Sequence, residues 1–279
     1  MGRLLKPSLM REDSTFKRIL KLLLSLLLSC ADAVRDGFRK VAGRGQPSTC
    51  VILYYHSIPA SQRGLFARQM DLLLRCAKPA RADSLQRREH GRSAVVTFDD
   101  GFENVLVNAV PELAQRNIPA TIFVVSERLG TSPAWEHFGP NAGPGERLMT
   151  LNQLLDLPAN LITIGSHSKT HPRLTKLAPA EARREIGESR SQLEQLLQRP
   201  VKLFSFPYGD CSRELVKSCR ETGYERVFTI APMLVNGCNN SVALGRVEAD
   251  PTDWPVEFRL KVAGAYRWLA WGGGRLDND

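Results

Sequence analysis

Three absences narrow the class of protein that this 279-residue sequence can encode. None of the six cysteines forms a C-x-x-C pair, which argues against a zinc ribbon or a dense disulfide framework. No repeat of about 20–50 residues is apparent, so we do not expect a solenoid. The apolar segment 19–34 is interrupted by Lys21, so a full membrane span is not expected there. The hydrophobic fraction of 43% and the length suit a globular protein with one barrel-sized core.

The positive charge of the chain lies mostly in its first 50 residues. The formal net charge is +9 at pH 7, and residues 1–50 contain ten Lys or Arg against four Asp or Glu. A basic arm of this kind can meet anionic lipid, anionic glycan or nucleic acid. Because the rest of the chain has no nucleic-acid motif, we expect no nucleic-acid partner.

Residues 1–49 have three interpretations. Residues 14–40 suit a basic amphipathic helix that lies on a membrane surface or on the catalytic domain. Alternatively, Leu22–Leu28 is the apolar core of a signal peptide, and residues 27–30 resemble a lipoprotein cleavage box. The third interpretation is an ordinary buried helix. These alternatives predict a cell-envelope or periplasmic location, with a cytoplasmic peripheral membrane location as the other option.

Strand-like and helix-like segments alternate between residues 50 and 250. This alternation predicts a parallel sheet with crossover helices, and about seven strands suggest a distorted (β/α) barrel. The predicted strands are 50–55, 93–98, 120–125, 161–164, 203–206, 226–230 and 241–247. The predicted helices are 66–76, 102–116, 152–157, 179–197 and 213–222. A last helix over 258–271, within a C-terminal segment 251–279, is expected to pack on the barrel, with a membrane-facing or partner-facing patch as the alternative.

Polar residues gather where the predicted strands end, which is the active-site rim of a (β/α) barrel. Asp99 and Asp100 directly follow an apolar strand, and adjacent carboxylates at a core edge need a positive partner. His167 and His171 follow another strand, and two histidines four apart can reach one metal ion. Asp-Gly turns and paired surface histidines are the ordinary explanations for each pattern taken alone.

Taken together, these residues predict a hydrolytic metal site. Asp100, His167 and His171 form the set of one carboxylate and two imidazoles that leaves positions open on the ion. Asp99 would then deprotonate a water molecule activated by that ion. A redox iron site is the alternative, but Asp99 would have no catalytic role in such a site.

Three segments resemble the motifs of the NodB-homology polysaccharide deacetylases, carbohydrate esterase family 4. They are TFDDGFENVLVNAVPELAQRNIPATIFVV at 97–125, GSHSKTHPRL at 165–174 and FSFPYG at 204–209. The resemblance implies a divalent ion, commonly zinc, with cobalt, nickel or manganese as alternatives. It also implies Asp99 as the catalytic base, the ligand set above, and substrate contacts from Pro207 and Tyr208, whose backbone N–H would stabilise the oxyanion.

Two departures of the sequence from that family concern the catalytic groups directly. Ser205 stands where the third motif often has the arginine that orients the base, which leaves the orientation of Asp99 open. The stretch Leu244-Gly245-Arg246 lacks the late histidine that serves many members as general acid. The early Tyr-His strand is similar to that of exopolysaccharide deacetylases acting on poly-N-acetylglucosamine, so His56 is the candidate acid, unless it only caps its strand.

The main hypothesis is therefore a metal-dependent N-deacetylase acting on an N-acetylated polysaccharide of the cell envelope. A small-amide hydrolase of the same fold and a catalytically impaired glycan-binding protein are the alternatives. The predicted organisation is an arm at 1–49, a barrel at 50–250 and a C-terminal helix and tail at 251–279.

Overall fold

The computed structural model describes residues 15–45, 48–85, 91–133, 135, 145–236 and 242–272. Several predicted features lie wholly or partly outside these residues. They include the first 14 residues, most of the Gly- and Pro-rich loop before residue 145, the start of the strand predicted at 241 and the C-terminal tail.

Eight strands follow one another in a single parallel path. Going around the sheet, the order is β10, β1, β3, β4, β5, β6, β7 and β9, and each neighbouring pair runs parallel. Two short strands, β2 and β8, pair with β3 and β1 respectively. The bounds are β1 Thr49–Tyr55, β2 Lys78–Pro79, β3 Arg92–Phe98, β4 Ala120–Val124, β5 Ile162–Ser166, β6 Leu203–Ser205, β7 Arg226–Thr229, β8 Val235–Asn236, β9 Ala243–Gly245 and β10 Val247–Glu248.

The two ends of this path are adjacent in the sequence. β9 and β10 are separated only by Arg246, so the chain itself bridges the gap and the sheet is nearly closed. This architecture confirms the predicted distorted (β/α) barrel, with eight strands in place of about seven. The single strand predicted over 241–247 is instead two strands, because Arg246 interrupts the strand pairing between β9 and β10. We call this point, where the two ends of the sheet meet, the seam.

The alternation of side chains along each strand divides the core in two. Residues such as Ile52, Val95, Phe123 and Leu244 form a cluster inside the barrel. The residues between them, such as Val96, belong to the larger cluster that lies between the barrel and its helices. The position of a residue along its strand therefore determines whether its side chain faces the barrel interior or the surrounding helices.

Seven helices surround the sheet in the described part of the chain. Their bounds are α1 Thr15–Val41, α2 Arg63–Cys76, α3 Val110–Gln115, α4 Leu151–Leu155, α5 Pro179–Leu197, α6 Arg213–Thr222 and α7 Pro255–Val262. The helix predicted over 102–116 is a π-helical turn, Val105–Ala109, followed by α3. Pro111 lacks the N–H that a continuous α-helix would require there.

The C-terminal segment packs against the helix that begins the described chain. The helix predicted over 258–271 is split into α7 and a 3₁₀ helix, Ala265–Gly272, because Gly264 takes a φ of 73° between them. Both parts contact α1. Among the described helices, α1 included, none is both long and apolar enough to cross a membrane. The domain limits at 49 and 250 stay predictions.

Candidate active site

The predicted site residues lie at the carboxyl ends of the strands. His56 follows β1, Asp99 and Asp100 follow β3, and His167 follows β5. Because alternate residues face the same side, His56 continues the inward row of Ile52 and Tyr54. The site is therefore built at the mouth of the barrel from residues of separate strands.

Three of these side chains converge on one point. Oδ1 of Asp100 lies 3.5 Å from Nε2 of His167 and 3.2 Å from Nε2 of His171. One ligand atom from each of the three residues lies within 4.8 Å of the other two, and all three residues are buried. This is the arrangement of two imidazoles and one carboxylate that the sequence predicted.

Hydrogen bonding fixes the orientation of the His167 ring. Nδ1 lies 2.8 Å from the carbonyl oxygen of Ser205, and a carbonyl can only accept, so Nδ1 carries the proton. Nε2 is then left with its lone pair pointing toward Asp100. Burial lowers the pKa of His167 to about 4, so the ring is neutral near pH 7 and suited to bind a cation.

The loop between the two histidines is held by a helix. Glu185 of α5 accepts hydrogen bonds from the backbone N–H groups of Lys169 and Thr170 at 3.0 and 2.9 Å, and from the Thr170 hydroxyl at 2.7 Å. The Ser168 hydroxyl accepts from the His171 N–H at 3.0 Å. These contacts curl the chain so that His171 turns back toward His167.

Aromatic rings enclose His171. Trp135 stacks on its ring with centroids 4.1 Å apart, and Tyr208 meets it edge-on at 4.7 Å. Tyr208 has a φ of 59°, and its own ring lies under the Arg173 guanidinium at 4.2 Å. Pro207 precedes it and is buried. The side chains of the third motif thus form one wall of the site.

Asp99 is bound by a buried arginine that sequence reasoning did not identify. Nη1 and Nη2 of Arg246 donate to Oδ1 and Oδ2 of Asp99, each at 2.7 Å, and Arg246 has no exposed surface. Burial alone would raise the pKa of Asp99, but the charge and hydrogen bonds of Arg246 hold it well below its ordinary value. Asp99 is therefore ionised.

Arg246 occupies the place left open by Ser205. Its Nη2 donates to the Ser205 hydroxyl at 2.8 Å, so the guanidinium lies where a side chain from position 205 could otherwise reach. Two features of the sequence agree with this contact without identifying the partner. Asp99 needed a positive partner, and Arg246 is a charged residue inside the strand predicted over 241–247.

His56 lies within electrostatic reach of both carboxylates. Its charge contributes to lowering the pKa of Asp99 and of Asp100. For Asp100, burial acts in the opposite direction, and the contacts and charges of His171, His56 and His167 together lower the pKa below its ordinary value. The ring of His56 is partly exposed and meets Tyr54 edge-on at 5.7 Å. His56 therefore lies at the mouth of the barrel, as its place after the first strand predicted.

Comparison with known proteins identifies the family. The model of the polysaccharide deacetylase family matches residues 86–227, about half of the chain. The chain belongs to the polysaccharide deacetylase family. The expected membership in carbohydrate esterase family 4, and with it the expected class of hydrolase, is confirmed.

Several known proteins are similar to this deacetylase in sequence or in fold. YxkH of Bacillus subtilis (strain 168), a provisional polysaccharide deacetylase by its name, is 24% identical over 218 residues, which cover 74% of this chain and 73% of YxkH. IcaB from Ammonifex degensii aligns with 79% of this chain and 98% of its own at 25% identity and a TM-score of 0.65. The deacetylase PplD of Streptococcus pyogenes, solved with acetate, aligns with 75% and 96% at 18% identity and a TM-score of 0.62.

The residues of this deacetylase fit a divalent ion. Although Nε2 of His171 lies nearby, Oδ1 of Asp100 is buried and accepts no hydrogen bond of good geometry from any described residue. Nδ1 of His171 is also buried without such a bond from the part of the chain described. A buried carboxylate oxygen beside two imidazoles, one of them neutral, is a donor set that zinc and similar ions accept.

Proposed function

We propose that this protein removes N-acetyl groups from N-acetylhexosamine units of a polysaccharide in a metal-dependent reaction. The observation that supports the proposal most strongly is the convergence of Asp100, His167 and His171 beside an ionised Asp99. A divalent ion bound by these three residues, zinc first and cobalt, nickel or manganese as alternatives, would polarise the acetyl carbonyl and acidify a water molecule.

The remaining steps belong to side chains of the barrel mouth. Asp99 takes the proton from the attacking water, whose oxygen forms a bond to the acetyl carbon. The C–N bond then breaks, acetate leaves, and His56 donates a proton to the departing amine. The backbone N–H of Tyr208 donates to the developing oxyanion, and Pro207 and the Tyr208 ring contact the sugar. Arg246 is a positioning residue, since it touches Asp99 rather than the substrate.

We further propose that the substrate is an exopolysaccharide or another polymer of the cell envelope. The FxxPYG motif and the His56 at the end of β1 support this proposal, because both are similar to the subgroup that acts on poly-N-acetylglucosamine. Location at the cell envelope follows from that substrate, and a cytoplasmic membrane location is the alternative. A small amide is the alternative substrate.

Acetate release tests the proposed reaction. The purified full chain should bind about one zinc ion and release acetate from N-acetylglucosamine oligomers faster than from small amides. Asp100→Asn should lose both the ion and the activity, whereas Asp156→Asn, at an exposed carboxylate outside the barrel mouth, should keep both. A protein that binds acetylated glycan without metal and without releasing acetate would instead be a glycan-binding protein.

A further inference from the structure

The apolar side of α1 faces away from the barrel. At 3.6 residues per turn, its exposed apolar side chains fall within a stripe about 160° wide that extends over most of the helix. Leu27, Val34 and Phe38 are 68%, 59% and 73% exposed. We call this surface the apolar stripe, and its members are Phe16, Ile19, Leu20, Leu23, Leu24, Leu26, Leu27, Val34, Phe38 and Val41. An amphipathic helix on a globular domain normally buries this side, so α1 is attached the opposite way round.

Three polar contacts attach the other side of α1 to the C-terminal segment. Arg18 donates to Glu257 at 2.7 Å, and Ser25, which is fully buried, accepts from the Trp268 indole at 2.9 Å. Asp32 accepts from Arg267 at 2.8 Å.

The spacing of these contacts fixes the rotation of the helix. The three attached residues of α1 are seven apart, so they form one line along its surface, opposite the apolar stripe. The contacts therefore hold the stripe outward along the length of the helix.

We propose that the apolar stripe docks on an anionic phospholipid membrane surface. The helix contains six basic and two acidic residues, and a basic amphipathic helix lies in the interface of anionic bilayers with its apolar side immersed. Arg35 and Lys40 flank the stripe from opposite sides and are exposed, so both can reach the headgroups.

A second copy of the chain fits this surface less well. The stripe is wider than the narrow seam of a coiled coil, and α1 has no glutamate to pair with its basic flanks. Self-association would therefore bring like charges together, whereas anionic headgroups neutralise them.

The attachment also orients the catalytic barrel. Arg18 contacts the backbone carbonyl of Thr252 and the ring of Trp254, in the segment that follows the carboxyl end of β10. The amino end of α1 thus lies on the side of the barrel mouth, and the helix runs from there toward the start of β1. When the stripe docks, the barrel lies next to the membrane. The barrel mouth is then close to the membrane surface and does not point directly away from it.

Vesicle sedimentation of the full chain tests the membrane contact, which is independent of the reaction proposed for the barrel. The protein should sediment with vesicles of equal parts phosphatidylglycerol and phosphatidylcholine and much less with phosphatidylcholine alone. The triple variant Leu20→Glu, Leu27→Glu, Val34→Glu should bind at least about tenfold more weakly. Leu155→Glu, the same change at an exposed leucine of α4, should bind like the wild type.

Two further measurements distinguish the occupants of the stripe. Lys40→Gln should weaken binding to the anionic vesicles without changing the thermal unfolding midpoint, and Arg35 is left unchanged because it pairs with Asp32 at 3.3 Å. Light scattering without lipid should give a monomer for the wild type and the triple variant. Failure to sediment with anionic vesicles, equal binding to both kinds of vesicle, or a dimer that the triple variant dissociates would each overturn the proposal.

Discussion

The ion pair of Asp99 and Arg246 makes the most direct prediction about catalysis. Arg246→Lys keeps a positive charge at the seam but replaces a planar fork by a single ammonium group, which cannot donate to both oxygens of Asp99 in parallel. The carboxylate then keeps its charge and loses its fixed orientation. The variant therefore separates the effect of orientation from the effect of charge.

The size of the effect follows from the lost contact. A hydrogen bond to a charged group contributes roughly 1.5–3 kcal/mol, so losing one of the two should lower kcat/KM by roughly 10- to 150-fold if the base must be aligned in the transition state. Arg246→Met should be worse. It leaves Asp99 buried without a counter-charge, at a cost of about 3–5 kcal/mol in unfolding free energy.

The pH dependence distinguishes a positioning role from a merely structural one. Without Arg246, the strongest influence that opposes burial is lost, and the pKa of Asp99 rises. Since the base acts in its ionised form, the acid limb of the kcat/KM profile should move to higher pH in Arg246→Met. KM should change less than kcat in Arg246→Lys.

A second Arg–Asp pair provides the control. Arg116 donates from Nε and Nη2 to the two oxygens of Asp71, at 2.7 and 3.3 Å, and from Nη1 to Glu112 at 2.9 Å. Arg116→Lys should change kcat/KM little, because Arg116 follows α3 directly, close to the start of β4 and away from the barrel mouth. If Arg246→Lys retained the activity of Arg116→Lys, the positioning role of Arg246 would be refuted.

Two further predictions concern His56 and the barrel interior. His56→Ala should lower polymer deacetylation by roughly 10²- to 10⁴-fold without loss of the bound metal, and undiminished acetate release from the polymer would show that His56 is not the general acid. Gly165→Ala should destabilise the fold by about 1–3 kcal/mol in denaturant titrations, because its Cβ would lie 2.5 Å from the Phe123 ring and 3.1 Å from the Leu203 carbonyl oxygen. Gly187→Ala, in open space on α5, should stabilise the fold by up to about 1 kcal/mol, and equal effects of the two changes would contradict the packing argument.

The strands and the convergence of Asp100, His167 and His171 were predictable because their signals are local. Each strand is a short apolar run, and each of the three proposed ligands follows such a run by one or a few residues, so the topology of a parallel barrel suffices to bring them together. The spacing of His167 and His171 already requires a curled loop if they share an ion. A functional residue that directly follows its own strand can therefore be identified from the local sequence, without knowing which strands are neighbours.

Arg246 and the rotation of α1 were not predictable in this way. The partner of Asp99 comes from the seam between β9 and β10, and no local pattern states which strand ends lie across the barrel from β3. Likewise, the amphipathic pattern of α1 gives two faces without saying which one is buried. Partly buried polar contacts to Ser25 and Asp32 decide it, and their partners lie more than 200 residues away in the sequence.

Backbone strain is concentrated where the proposed chemistry occurs. Of the six non-glycine residues with positive φ in the described chain, four belong to the barrel mouth: Asp100, Ser168, His171 and Tyr208. Such conformations cost about 1–3 kcal/mol each and persist only where neighbouring contacts enforce them. At the loop of the second motif, Glu185 and the backbone of β4 supply those contacts, since the His167 N–H donates to the Val124 carbonyl at 2.8 Å. The fold therefore holds His167 and His171 in position through the protein's own contacts, as the proposed metal site requires.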